Sequence, residues 1–146
     1  MKIAMACDHG AFEYKEEIKA MLTQMGHEVK DFGCYDTSSV DYPDMVVPAC
    51  KAVAANEFDR GVILCGTGIG VSIAANKVKG VRCALVSDCF SAKATRDHNN
   101  TNVLAMGQRA IGIELAKEIT RIWIETPFSN DPRHQRRIDK IMALED

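Results

Sequence analysis

"GVILCGTGIGVSIAANK" occupies residues 61–77. Its first five residues form a continuous apolar run to Cys65, the pattern of a buried strand. Gly66, Gly68 and Gly70 then alternate with Thr67 and Ile69, and a helix-like segment follows over about 69–78. If the flanking sequence repeats this strand–turn–helix unit, the fold is a parallel α/β sheet.

The flanks do repeat it. Upstream, "KIAMAC" (2–7) reads as a buried strand. Residues 10–25 read as a helix, with Tyr14, Ile18, Met21, Leu22 and Met25 on one face and Gly26 as its stop. "HEVKDF" (27–32) alternates as a strand, and the loop "GCYDTSSVDYPD" leads to a helix over about 44–56. Downstream, "VRCALV" (81–86) and "NVLAM" (102–106) read as strands around a helix at about 88–97. Leu115, Ala116, Ile119, Ile122 and Trp123 then mark a helix face, and a last helix begins near Asp131. Five short apolar strands alternating with amphipathic helices imply one domain over 1–146, with a parallel sheet covered on both faces.

Composition narrows the function classes. The chain has 146 residues, 47% hydrophobic and 26% charged, with a net charge of −2. That balance argues against a nucleic-acid surface, so any basic site is local. No apolar stretch approaches a membrane span, and no signal peptide precedes "MKIAMACDHG", which points to the cytoplasm. The six cysteines form no CxxC pair, and several lie in strand-like runs. They read as free thiols in a reducing compartment, with no ligand cluster for a metal.

In parallel sheets, ligands bind at the carboxyl ends of the strands. Those ends carry Asp8 and His9, the Cys65 loop, Ser87 and Asp88, and Gly107 to Arg109. The segment "RDHNNTN" (96–102), with His98 and Asn99, falls at the opposite edge.

Three chemistries compete for the Cys65 loop. A dinucleotide fingerprint needs a third glycine where Val71 stands. A cysteine phosphatase needs an arginine at that same position. The remaining reading is an anion hole: glycine backbone approaches a ligand closely, successive N–H groups at a helix start bind negative charge, and their field favours a basic Cys65 thiolate. A structural thiol beside a simple turn would show the same residues.

The C-terminal segment offers a second anion site. Asp131 and Pro132 suit an N-cap and first helical position, and Arg133, Arg136 and Arg137 follow at once. Cations in a first turn oppose the helix dipole unless an anion neutralises them, although a solvated basic face is the simpler alternative. Two anion sites and a base would suit enolisation of a sugar phosphate.

Taken together, "CDHG", "DYPD", "CGTGIGVSIAANKV", "HNNTNVLAMGQR" and "RHQRR" resemble the ribose-5-phosphate isomerase type B family, which also includes galactose-6-phosphate isomerases. The resemblance spans nearly the whole chain. It implies a Rossmann-like three-layer α/β/α sandwich with a five-stranded parallel sheet and a C-terminal helix. It also implies a homodimer with shared active sites, in some cases a tetramer, and neither metal nor organic cofactor.

By motif, the resemblance makes Cys65 the base that moves a proton between C1 and C2 of the sugar. Thr67 and the amides of Gly66, Gly68, Ile69 and Gly70 would hold the enediolate oxygens. His98 would open the furanose ring, assisted by Asp8, and Asn99 would hold a hydroxyl or the enediolate. His9, Arg133 and Arg137 would hold the phosphate, with Arg109 reaching in from the other subunit, and Tyr42 would line the sugar site. Asp131 and Pro132 stand where many members of the family carry glycines. His98 favours ribose 5-phosphate and ribulose 5-phosphate; the alternatives are a hexose phosphate (allose or galactose 6-phosphate) or a non-catalytic sugar-phosphate sensor.

Overall fold

The computed structural model describes residues 1–145. Five strands, β1 (Lys2–Cys7), β2 (Glu28–Asp31), β3 (Arg60–Cys65), β4 (Cys83–Leu85) and β5 (Val103–Gly107), form one parallel sheet in the order β2-β1-β3-β5-β4. The helices are α1 (Phe12–Gln24), α2 (Tyr42–Ala54), α3 (Ile69–Ala75), α4 (Cys89–Asn99), α5 (Ile113–Glu125) and α6 (Pro132–Met142).

Side chains along a strand point alternately to the two faces, so each strand divides its apolar residues between two cores. Ile3, Met5, Val62, Leu64, Leu104 and Met106 pack with Ile18 and Leu22 of α1, Ala92 of α4, and Ile119 and Trp123 of α5. Ala4, Ala6, Ile63, Cys65, Val103 and Ala105 pack with Val46 and Val53 of α2 and with Val71 and Ala75 of α3. The result is the expected three-layer α/β/α sandwich. Helix α6 lies against α4 and buries a single residue, Ile138.

Several boundaries differ from the sequence pattern. Helix α2 begins at Tyr42, two residues before the expected start, because Pro43 is tolerated in a first turn where its missing N–H is not needed. A 3-10 turn over His9–Ala11 precedes α1, capped by the Asp8 carboxylate, which accepts from Gly10 N at 2.9 Å. Helix α3 stops at Ala75, and α4 runs on to Asn99, so His98 lies on a helix.

The strand order positions the site. The chain leaves β1 for β2 on one side and returns to β3 on the other, so the crevice for a ligand opens between the carboxyl ends of β1 and β3. Asp8 N donates to Leu64 O at 3.2 Å across that crevice. On the β2 side, the fully buried Lys15 donates to both Asp31 carboxylate oxygens, at 2.7 and 2.6 Å. An ammonium with no water needs such a partner.

Candidate active site

The Cys65 loop is held by backbone on both flanks. Gln108 N donates to Cys65 O at 3.0 Å and Arg109 N to Gly66 O at 2.8 Å, tying the loop to the segment after β5. A Cβ on Gly107 would lie 2.4 Å from the Thr67 carbonyl carbon, so only glycine permits that approach. Toward β1, a Cβ on Gly10 would meet Gly66 N at 3.3 Å. Gly68 has φ +77°, the left-handed region, and its N–H donates to Cys65 Sγ at 3.0 Å.

Helix α3 is only seven residues long, so the loop's own amides, rather than a long helix dipole, supply the field at the sulfur. Ile69 N donates to Thr67 Oγ1 at 3.2 Å. Among the described residues, the N–H groups of Gly66, Thr67 and Gly70 have no protein acceptor. These free donors lie in the same loop as the Cys65 sulfur, and clustered N–H groups of this kind favour negative charge beside them.

Other predicted residues gather at the same crevice. Val40 N donates to His9 Nδ1 at 3.2 Å, so a neutral His9 ring carries its proton on Nε2. The Tyr42 ring covers Gly70, where an added Cβ would come within 2.5 Å of Tyr42 Cζ. Arg109, expected to reach in from a partner, instead lies against Gly66 of its own chain: a Cβ there would meet Arg109 Cδ and NH1 at 3.4 Å. The reason is the turn after β5, whose backbone bonds fold Arg109 back over the loop.

His98, Asn99, Arg133 and Arg137 are not in this crevice. His98 lies roughly 14 Å along α4 from its first residue, at the amino edge of the sheet. There the His98 and His134 rings stack at 4.5 Å between centroids, which draws the start of α6 to the end of α4. Asp131 caps α6 by accepting from Arg133 N at 2.7 Å, and that bond holds its carboxyl below the usual range. Arg133 and Arg137 are exposed on the same helix.

His134 stacks on His98 although no local pattern marks a partner 36 positions away. Gly107, expected only as part of a strand-end segment, permits a close backbone approach between two loops. Burial pushes Cys50 up to about 12 and raises Cys7 and Cys83 as well, which makes those three thiols poor bases. Among the described residues, no group of three or more His, Cys, Asp or Glu could hold a metal, and no helix is long and apolar enough to cross a membrane.

A cysteine at a switch-point crevice, flanked by unpaired amides and by a histidine and a carboxylate, belongs to a known class. The chain is a member of the Ribose/Galactose Isomerase family, whose model matches residues 3–141. It is 54% identical to the putative sugar phosphate isomerase YwlF of Bacillus subtilis (strain 168), over 100% of this chain and 98% of that protein. It is 46% identical to ribose-5-phosphate isomerase B of Escherichia coli (strain K12), over 99% and 96% of the two chains. The solved structure of Clostridium thermocellum ribose-5-phosphate isomerase B superposes with a TM-score of 0.97 at 44% identity, covering 99% of this chain and 97% of the other.

Proposed function

We propose that this chain interconverts D-ribose 5-phosphate and D-ribulose 5-phosphate by moving a proton between C1 and C2 through a cis-enediolate. The observation that carries the reading is the Cys65 sulfur beside the three unpaired amides. The C2 proton of the open-chain aldose is weakly acidic. Removing it requires a base in contact and donors already placed where the oxyanion forms. In the proposed step the Cys65 thiolate takes that proton, and the C1 carbonyl electrons move onto oxygen, where Thr67 and the loop amides receive them. The C2 hydroxyl proton then passes to the C1 oxygen, the electrons of the new C2 carbonyl push through the enediolate double bond, and C1 takes back the proton held on Cys65, leaving a hydroxyl at C1 and a ketone at C2. Asp8 and His9, on the β1 side, contact the sugar and its phosphate, and Tyr42 closes over Gly70. Arg109 adds a cation from the same chain.

His98, Asn99, Arg133 and Arg137 complete the site from a second copy. In one chain they lie at the far edge of the sheet from Cys65, so a two-fold dimer that sets one chain's α4–α6 end over its partner's crevice supplies both sites at once. His98 then transfers the proton that opens the furanose ring, and Arg133 and Arg137 clamp the phosphate. Phosphate binding remote from the reacting carbons orients the sugar for the proton transfer. Six free cysteines support a cytoplasmic setting for this chemistry.

The test is proton NMR of ribose 5-phosphate with the protein in D2O. Appearance of ribulose 5-phosphate with deuterium entering from solvent at the transferred position is the expected result. Neither product nor exchange with this sugar, but turnover of allose or galactose 6-phosphate, would move the assignment to a hexose phosphate.

A further inference from the structure

At the amino edge of the sheet, where helices end and strands begin, a cavity of about 440 Å³ is lined by three arginines, Arg60, Arg82 and Arg96, with Asn56, Asn100 and Asp59 beside them. None of these residues takes part in the chemistry proposed above. Arg96 is only 6% exposed. Such a concentration of cations at the base of an α/β sheet requires a physical reason.

One reason is visible but insufficient. Arg60 NH1 donates to Trp123 O and Ile124 O at the end of α5, at 2.7 and 2.8 Å. Arg82 reaches Asn99 O and Asn100 O at the end of α4, at 3.1 and 2.8 Å. Arg96 bonds Thr101 O, Asn100 Oδ1 and Thr126 O. Cations suit helix ends, but each end offers roughly half a negative charge. Asp59 is the one carboxylate in the lining, and its Oδ2 already accepts from Lys2 N at 2.7 Å. Glu145 attracts Arg82 from outside the cavity and is held by Gly80 N at 3.0 Å. Three guanidinium charges against Asp59 and two helix ends leave an excess of about one positive charge.

The hydrogen-bond inventory points the same way. Among the described residues, Arg60 Nε and NH2, Arg96 NH2 and the Asn100 side-chain NH2 have no protein acceptor, since Asn100 Oδ1 is taken by Arg96. The basin is thus rich in donors and poor in acceptors. Burial, then repulsion from Arg60 and Arg82, lowers Arg96 to about 10, the behaviour of a cation group short of counter-charge. Guanidinium forks match tetrahedral oxyanions, which accept several N–H bonds at once.

We propose that this basin is a second anion site that takes a compact phosphate, free or as the monoester end of a small metabolite.

The test begins with Arg133→Ala/Arg137→Ala protein, which lacks the arginines assigned to substrate phosphate. Inorganic phosphate and ribose 5-phosphate are each titrated into it by calorimetry, at ionic strength held constant with sodium chloride. Saturable binding of one phosphate per chain is expected. Adding Arg60→Gln should weaken it at least tenfold, and adding Asp59→Asn, which removes the opposing carboxylate, should tighten it. Tighter binding of inorganic phosphate would assign the site to the free anion, and tighter binding of the ester to a phosphorylated metabolite. Absence of saturable binding, or affinity unchanged by both Arg60→Gln and Asp59→Asn, would overturn the proposal. Arg60→Gln alone should leave isomerase turnover unchanged, which separates this site from the catalytic one.

Discussion

At the carboxyl end of β3, Cys65 is 5% exposed, and its loop is locked by Gly107 on one flank and Gly10 on the other. At the far end of α4, His98 leaves 46% of its side chain exposed, and its ring partner sits on a helix that buries one residue. The first region is packed and fixed within one chain. The second is a set of charged and proton-exchanging groups left on a surface. The difference teaches that burial and close backbone approach fix the Cys65 loop before any ligand arrives, whereas under the proposed two-chain site the His98 end would gain its precision from docking.

The sharpest break of that comparison is to disable each half separately. Cys65→Ala should keep the circular dichroism spectrum and lower kcat by about 10³-fold or more, the share of a positioned base. His98→Ala should impair the ring-closed aldose more than an open-chain analogue. Mixed and re-associated in equal amounts, the two variants should recover about one quarter of normal activity, because each mixed dimer carries one intact composite site. No recovery would mean that Cys65 and His98 act within one chain.

Next in size is Gly107→Ala. The added carbon displaces Thr67, and a shift of about an ångström in that loop should cost roughly 10²-fold in kcat. Gly112→Ala, where nothing lies within 4 Å of the added carbon, is the matched control and should be near silent.

Asp31→Asn sharpens the rigid side of the comparison through stability. It leaves Lys15 buried without its carboxylate, an expected loss of about 3 kcal/mol in urea denaturation at neutral pH. Burial alone would raise the Asp31 carboxyl, but hydrogen bonds from Lys15, Lys19 and Gly33 outweigh it and hold it below the usual range. A carboxyl lowered by folding contributes its full stability above the unfolded value, near 3.9, and loses it as pH falls through the folded value. The gap between wild type and variant should therefore narrow in acid.

The smallest effect is expected at Asp131→Ala. Losing the cap frays the start of α6, where Arg133 sits, and should raise KM by under about tenfold with kcat unchanged.

Much of this molecule was legible before folding. The near-continuous apolar runs "KIAMAC", "GVILC" and "NVLAM" predict three central strands within a residue of where they lie, because a strand buried on both faces must be apolar throughout. Edges were less legible. The β4 strand is three residues rather than six, since at the sheet edge Asn76, not a neighbouring strand, pairs with Cys83 N and O at 2.9 and 3.0 Å. The Arg109 position was missed because the turn that folds it over Gly66 is stitched by bonds to another loop.

The sequence by itself determined the layer architecture and marked the Cys65 loop as the candidate site. Hydrophobic period, glycine spacing and capping residues act between near neighbours in the chain, so they can be read there. Only the tertiary structure decided that β1 lies beside β3, that Arg109 serves its own loop, that His134 stacks on His98, and that three arginines from separate elements share one basin. Each of these is a meeting of residues distant in sequence. Such meetings are selected by packing and charge across the whole core, and no local pattern encodes them.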